Sequence, residues 1–282
     1  MEKMMRSTQS RIALHPMLWD LFGVGSACTK PVNDYFNEIV KTVIAQKRAL
    51  KESGKTIEKK HMDILDRLLD TDASSGADYF SDEEIRDEIF GFFLAGHETT
   101  ANSLTMLLME LCQNDRVLRK VQDEIDSILE PTDELTFESL SKFKYLDMTI
   151  KEAMRIYPVI SQNGRVAIKD VELDGKKFPV GTRMIISARA LHMNPQYWPE
   201  PEDFKPERWI DMTPVPGSYI PFGDGPTNCI GQKLALLEMK VLMIELLRSF
   251  NVALVPGQEL RLIGSVTIGL KMGLEVEFTE RV

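Results

Sequence analysis

Residues 221–231 read Pro221-Phe222-Gly223-Asp224-Gly225-Pro226-Thr227-Asn228-Cys229-Ile230-Gly231, and an apolar helical pattern follows directly. The loop therefore places one cysteine at the N-terminus of a predicted helix, where unpaired backbone N–H groups and the helix dipole favour a thiolate. The glycines at 223, 225 and 231 let the backbone approach a flat, bulky group, because glycine has no Cβ. A thiolate presented in this way suits a metal that takes one protein ligand, and haem iron is such a metal.

The chain has three cysteines, and Cys28 and Cys112 are predicted to be buried structural thiols. Neither has a Cys or His neighbour at metal-ligand spacing. A structural thiol is also the alternative interpretation of Cys229, but the specialised loop around it favours a ligand. The absence of paired cysteine spacings indicates a reducing compartment and no disulfide framework.

Phe222, Gly225, Cys229 and Gly231 stand at fixed positions of a loop that resembles the cysteine-ligand loop of the cytochrome P450 family, the haem-thiolate monooxygenases. The resemblance implies that Cys229 ligates haem iron and that Phe222, Gly225 and Gly231 belong to the cofactor site. The family usually has an arginine or histidine, which pairs with a haem propionate, at the position of Thr227 in this chain.

A second segment, Ala95-Gly96-His97-Glu98-Thr99-Thr100, lies within a helical pattern from about Ile85 to Cys112. Its small residues allow a ligand close to the helix, and its acid and hydroxyl side chains can relay protons. The flanks are apolar all round, which predicts a buried helix, and a buried acid requires a partner or a function. The alternative is a solvated polar patch on a surface helix. The segment resembles the oxygen-activating helix of the family, which implies catalytic roles for Glu98 and Thr99.

A third segment places Glu152 and Arg155 on one face of a helix predicted over 146–157. A pair at this spacing is usually a surface feature worth a few tenths of a kcal/mol. Together with Arg208 in Pro206-Glu207-Arg208-Trp209, however, it resembles the Glu–Arg–Arg network of the family. The resemblance implies a structural role: the three side chains fix the backbone that carries the cysteine loop.

The resemblance also implies contacts to haem and substrate outside these motifs. Arg165 is expected to bind a haem propionate, although an ordinary cation at a strand edge is the alternative. The predicted substrate pocket, for an apolar small molecule, consists of Phe92, Ala95, Val159, Ile160 and Thr267. His192 is interpreted as a histidine of a turn or cap and not as a ligand.

Composition limits the class of protein. The chain has 282 residues, 43% of them hydrophobic, which predicts a large core in a globular protein. The formal net charge of −9 argues against a nucleic-acid partner. No run of eighteen apolar residues is present, and the N-terminus does not read as a signal peptide.

The predicted fold class is mainly α with a small antiparallel β portion, as one continuous domain over residues 1–282. Ser81 is a plausible N-cap of the central helix, and the turn residues Asp174-Gly175 predict a β-hairpin. The resemblance covers the C-terminal portion of a family member, so we expect a cytochrome P450 fold lacking its N-terminal part: a fragment, a truncated gene model or a short isoform.

The function implied by the resemblance is haem-dependent insertion of one oxygen atom from O2 into an apolar organic substrate. An NADPH-dependent flavoprotein reductase or another electron donor is expected to supply electrons, meeting lysines such as Lys151, Lys233 and Lys240. A complete form would reside on the cytosolic face of the endoplasmic reticulum through an N-terminal anchor that this chain lacks. Two alternatives remain open: a haem-free remnant or interaction protein without catalytic activity, and a haem-thiolate isomerase or dehydratase that needs no O2.

Overall fold

The computed structural model describes residues 26–53, 62–70, 79–130, 132–264 and 266–281, with the side chains of 26–29, 31–32 and 51–52 left out. The prediction for Cys28 therefore lies outside the described side chains. The chain divides into two compact units, residues 1–97 and residues 98–282.

The described residues form seven α-helices: α1 (Ser26–Glu52), α2 (Ile64–Leu68), α3 (Asp82–Gln113), α4 (Asp115–Ile128), α5 (Lys144–Ile156), α6 (Ala188–His192) and α7 (Gln232–Ser249). Three 3-10 turns lie at Ser139–Lys142, Pro206–Trp209 and Gly225–Thr227. The strands are β1 (Gln162–Val166), β2 (Val171–Leu173), β3 (Lys176–Phe178), β4 (Arg183–Ser187), β5 (Phe250–Leu254), β6 (Leu262–Gly264), β7 (Ile268–Leu270) and β8 (Val276–Glu280).

The strands pair into four antiparallel two-stranded ladders, β1–β4, β2–β3, β5–β8 and β6–β7. The predicted hairpin is confirmed: Leu173 pairs with Lys176 across a turn in which Asp174 and Gly175 both have positive φ. Asn, Asp and Gly are the residues that tolerate this backbone conformation, which is why this dipeptide identified the turn. The mainly helical class with a small antiparallel portion is thereby confirmed.

The first unit has a small core in which α1 and α2 pack on the start of α3. Val40, Ile44, Leu65, Leu69 and Ile85 are all buried in it. The start of α3 is fixed by a reciprocal cap, because Glu84 N–H donates to Ser81 Oγ at 3.2 Å and Ser81 N–H donates to Glu84 Oε2 at 2.8 Å. The predicted N-cap is confirmed.

The second unit contains the large core, built by the C-terminal half of α3 with α4, α5 and α7. Phe143, Leu146, Val121, Ile244 and Leu247 are fully buried there. The N-terminus of α5 is capped by a side chain from another helix, since Glu124 accepts the N–H groups of Tyr145 and Leu146 at 2.7 and 2.9 Å. This core supports both the helix that carries Glu152 and the helix that follows Cys229.

The prediction that the central helix is buried throughout is only half right. Met106 to Leu111 are buried apart from the partly exposed Leu108, whereas Phe93 is 49% exposed and Gly96 and His97 are exposed. The apolar residues on all sides of the helix correctly indicate the burial of its C-terminal half, which packs in the core. The predicted bounds, 85–112, fall just inside the observed bounds, Asp82–Gln113. Among the described residues, no helix is both long enough and apolar enough to span a membrane.

Candidate functional site

The cysteine loop presents an exposed, unpaired thiol at the start of α7. Cys229 is a free cysteine, and its N–H donates to Phe222 O at 2.9 Å, which closes the loop on itself. Gly223 and Gly225 have φ of +76° and +78°, a conformation that would strain any residue with a Cβ. A Cβ at Gly231, the residue that precedes α7, would stand 3.8 Å from Cys229 Sγ, so the sulfur lies close to the positive end of the α7 dipole.

Arg165 and Thr227 meet beside this loop. Arg165 lies on β1, and its Nη2 donates to Thr227 Oγ1 at 3.0 Å. Both side chains are exposed. The structure therefore places Arg165, the predicted propionate partner, against Thr227, which occupies the position of the family's usual basic residue. Thr227 lies two residues before Cys229 in the sequence, so the bond holds the guanidinium at the cysteine loop.

The structure brings Glu152, Arg155 and Arg208 together in a buried network. Arg155 Nε and Nη2 donate to the two oxygens of Glu152 at 3.0 and 2.9 Å, and both side chains are fully buried. Arg208 Nε donates to Glu152 Oε1 at 2.8 Å. Trp209 Nε1 adds a further bond to Glu152 Oε2 at 2.9 Å, a member that the sequence reasoning missed although it is adjacent to Arg208.

The two arginines also bind backbone carbonyls of the segment 192–203. Arg155 Nη1 donates to His192 O at 3.0 Å and to Pro201 O at 2.7 Å, and Arg208 Nη1 donates to Pro199 O at 2.8 Å. One buried carboxylate thus orients two guanidiniums that together hold the end of α6 and the turns that follow it. The network organises backbone and has no group free for chemistry.

His192 connects this network to the cysteine loop. Ile220 N–H donates to His192 Nε2 at 2.8 Å, so Nε2 is unprotonated and Nδ1 carries the hydrogen that faces Arg155 O at 3.1 Å. The ring is fully buried. Burial, with the nearby charge of Arg155, lowers the pKa of His192 to about 4. The interpretation as a structural histidine fits this geometry, but the bond to Ile220 could not be read from local sequence.

Glu98 is bonded to a threonine from the far end of the chain. Thr267 Oγ1 donates to Glu98 Oε1 at 2.5 Å, and Asn102 Nδ2 donates to Thr267 Oγ1 at 3.3 Å. Glu98 and Thr99 are half-buried, whereas Thr267 is 5% exposed. Thr267 was predicted to face substrate, but its hydroxyl is directed at Glu98. Neither Asn102 nor the link from Glu98 to Thr267 was predicted.

One of the predicted pocket residues, Val159, is bonded to the residue that follows Thr267. Val159 O accepts the N–H of Ile268 at 2.8 Å, so the segment after α5 and the turn that carries Thr267 are joined. Val159 is buried and Ile160 is half-buried. Phe92 and Ala95 belong to the first unit, in the N-terminal part of α3, where Phe92 is half-buried and Ala95 is exposed.

Another acid on α3, Glu110, is buried and holds the end of α5. Tyr157 donates its hydroxyl to Glu110 Oε1 at 2.7 Å, and Asn114 Nδ2 donates to Oε2 at 3.0 Å. Burial raises the pKa of Glu110, while the bonds from Tyr157 and Asn114 oppose the rise. Sequence reasoning missed this acid because it assigned only the Glu98–Thr99 dipeptide to chemistry.

The cysteine loop fits a haem by the chemistry of its donors. The loop offers one free, exposed sulfur as an iron ligand and a neighbouring guanidinium that can pair with a haem carboxylate. Its glycines have no side chains, so a flat group can approach the backbone closely. Cys112 does not compete as a ligand, because burial raises the pKa of its thiol to about 11. No cluster of three potential metal-ligating His, Cys, Asp or Glu side chains exists within the described ranges.

Comparison with known proteins identifies the family of the chain. The profile of the family "Cytochrome P450" matches residues 1–271. Cytochrome P450 3A9 of Rattus norvegicus is 37% identical over 248 residues, which are 85% of this chain and 48% of that protein. Lithocholate 6-beta-hydroxylase of Mesocricetus auratus is 34% identical over 248 residues, with the same coverage of 85% and 48%. The chain thus spans about half the length of the curated relatives it matches.

Solved structures agree at the level of the fold. The crystal structure of the cytochrome P450DA heme domain superposes with a TM-score of 0.78 and 29% identity, covering 87% of this chain and 54% of that one. A mutant of the same heme domain gives a TM-score of 0.81 over the whole of this chain. With the family profile matched over residues 1–271 and relatives as much as 37% identical, the chain belongs to the cytochrome P450 family.

Proposed function

We propose that this chain is the cysteine-ligand portion of a haem-dependent monooxygenase that inserts one oxygen atom from O2 into an apolar organic substrate. The observation that carries the proposal is the free, exposed Cys229 thiol at the head of α7, in a loop closed by the bond from its N–H to Phe222 O. Cys229 would ligate the iron, with Phe222, Gly225 and Gly231 beside it. The haem would supply the activation of O2.

The remaining residues act around that cofactor. Arg165, held by Thr227, binds a propionate, and Glu98 with Thr99 holds and moves protons at the oxygen-activating helix. Glu152, Arg155 and Arg208 take no part in the chemistry, because their polar groups are hydrogen-bonded to one another and to backbone carbonyls. Their role is to fix the segment from which His192 reaches Ile220 and the cysteine loop.

The substrate is an apolar small molecule, and in the second unit it contacts Val159 and Ile160. Electrons come from an NADPH-dependent flavoprotein reductase or an equivalent donor. The protein works at the cytosolic face of the endoplasmic reticulum.

The reductase would meet a groove of about 450 Å³ beneath the cysteine loop, lined by Phe222, Lys151, Lys233 and Lys240 among others. The three lysines are not equivalent. Lys240 forms an ion pair with Asp147 and donates to Leu140 O at 3.0 Å, so its charge is already paired within this chain. Lys151 lies over the ring of Trp209 at 5.7 Å, and Lys233 makes no ion pair within the described residues. Lys151 and Lys233 are therefore the cations left for an acidic partner.

The proposal is tested by adding hemin to the purified chain and recording the spectrum of the reduced carbon monoxide complex. We expect a red-shifted Soret band of the thiolate type, which Cys229→Ser abolishes and Cys112→Ala leaves unchanged. The Cys112 control removes a thiol of low reactivity from the same chain. Failure to bind haem stoichiometrically, or an unchanged band in Cys229→Ser, would reject the proposal and favour a haem-free remnant.

Arg165→Ala is expected to weaken hemin binding by about 10- to 100-fold, since a hydrogen bond to a charged group contributes about 1.5–3 kcal/mol. Thr227→Val should produce a smaller loss, because the guanidinium remains but is no longer held at 3.0 Å. Thr227→Arg should raise haem retention by adding a second cation. Hemin titration measures all three, with the exposed Arg183 on the paired strand, substituted by alanine, as the matched control. Equal affinities for Arg165→Ala and Arg183→Ala would show that Arg165 is an ordinary strand-edge cation.

A further inference from the structure

The hydroxyl of Thr267 is bonded on both sides to side chains of α3. It donates to Glu98 Oε1 at 2.5 Å and accepts from Asn102 Nδ2 at 3.3 Å. Thr267 is 5% exposed, so water is a poor substitute for either partner. This hydroxyl therefore uses both its donor and an acceptor position in hydrogen bonds to side chains of α3, the helix that carries Glu98.

The backbone around Thr267 is fixed independently of its side chain. The next residue, Ile268, donates its N–H to Val159 O at 2.8 Å and pairs with Gly264 across the β6–β7 ladder. Asn102 also packs against Gly269, where a Cβ would stand 3.1 Å from Asn102 Oδ1. Two contacts from Asn102 and one from Val159 thus set the position from which the Thr267 hydroxyl approaches Glu98.

The other oxygen of Glu98 has a different environment. Within the described residues, Oε1 accepts the bond from Thr267 and no donor lies at hydrogen-bond distance from Oε2. A carboxylate that is held by one oxygen keeps a defined orientation, and its second oxygen is left to exchange a proton with water.

We propose that Thr267 is a positioning residue for Glu98: it anchors Oε1 so that Oε2 stays directed for proton exchange. The proposal rests on the proposed function, in which Glu98 moves protons. Thr267 itself is not a proton source in it, because its hydroxyl proton is committed to Glu98. Without the hydroxyl, the Glu98 side chain regains rotamer freedom. Oε2 then spends a smaller fraction of the time in the orientation that accepts a proton.

The contact is tested first without any cofactor, by a double-mutant cycle on unfolding in urea with Glu98→Ala, Thr267→Val and the double variant. We expect the two substitutions to be non-additive by about tenfold in the unfolding equilibrium constant, which equals about 1.4 kcal/mol. The same cycle with Thr279→Val, an exposed threonine on β8, should be additive. Additivity within about twofold for Thr267 would overturn the proposal, whatever becomes of the haem.

The second test is turnover of the haem-loaded protein, with product and released hydrogen peroxide counted per NADPH consumed. We expect Thr267→Val to lower the product fraction about tenfold in favour of peroxide, with the KM for substrate changed less than twofold, and Thr267→Ser to restore it. Equal losses in Thr267→Val and Thr267→Ser would assign Thr267 to packing and overturn the positioning role. A chain that binds no haem refutes the proposed function, and the unfolding cycle then decides alone on the Thr267–Glu98 contact.

Discussion

Arg155→Ala is expected to lower the free energy of unfolding by about 3–5 kcal/mol, the loss that follows when one partner of a buried ion pair is removed. Glu152 would remain fully buried, with Arg208 as the remaining cation and with Trp209 Nε1 and the N–H of Lys205 as neutral donors. The carbonyls of His192 and Pro201 would lose their donor as well. Urea unfolding followed by circular dichroism measures the loss.

The chain contains its own matched control for this prediction. Glu245 and Arg248 on α7 have the same spacing as Glu152 and Arg155, but their side chains are 44% and 23% exposed and 3.4 Å apart. Arg248→Ala should therefore cost less than about 1 kcal/mol. If the two alanine variants were equally stable, the network would not be what fastens the segment 192–203.

This pair of identical patterns shows what local sequence can and cannot predict. Glu-x-x-Arg occurs in both α5 and α7, and spacing alone assigns the same small energy to each. Only the surroundings distinguish them: Arg208 and the carbonyls of 192–203 enclose the buried pair, whereas in the described part of the chain the partly exposed pair has a single bond to another segment, from Arg248 Nη1 to Asp133 O at 3.0 Å. The resemblance of the motifs supplied this long-range information, whereas helical periodicity did not.

The same reason explains which parts of the site were missed. The cysteine loop was predictable because its glycines, its proline and the following helix lie within a dozen residues, and local backbone chemistry decides such a loop. The bonds of Thr267 to Glu98 and of His192 to Ile220 join segments that are far apart in sequence or lack a shared pattern. The burial of α3 was overestimated for a related reason. An apolar pattern indicates that a helix is able to pack against other elements, but it does not indicate which half of the helix other elements cover.

Acidification from about pH 6.5 towards pH 4 is expected to remove about 3 kcal/mol of stability through His192 alone. The pKa of His192 is lowered from 6.5 to about 4 in the folded protein, because the ring is buried and faces the charge of Arg155. A group that is harder to protonate when folded contributes its full stability above the unfolded pKa of 6.5, and loses it as the pH falls through the folded value. Each unit of difference corresponds to about 1.4 kcal/mol.

The structural consequence follows from the hydrogen bond at Nε2. Protonation would convert the acceptor for Ile220 N–H into a donor facing that same N–H, so the connection from the Glu152 network to the cysteine loop would open. The Tyr219 ring, 5.2 Å from the imidazole, offers no negative charge to compensate, because a phenol is fully protonated in this pH range. Hemin should therefore dissociate faster as the pH falls within this window.

His192→Gln separates this effect from the titration of carboxylates, which all variants share. The glutamine amide oxygen can accept the N–H of Ile220 but does not bind a proton in this range. The difference in unfolding free energy between wild type and His192→Gln should shrink by about 3 kcal/mol as the pH is lowered, because only the wild type loses its acceptor. The other three histidines are present in both proteins and cancel in the comparison. Parallel curves for the two proteins would show that His192 does not titrate with folding, and the acid sensitivity of the cysteine loop would then have to arise elsewhere.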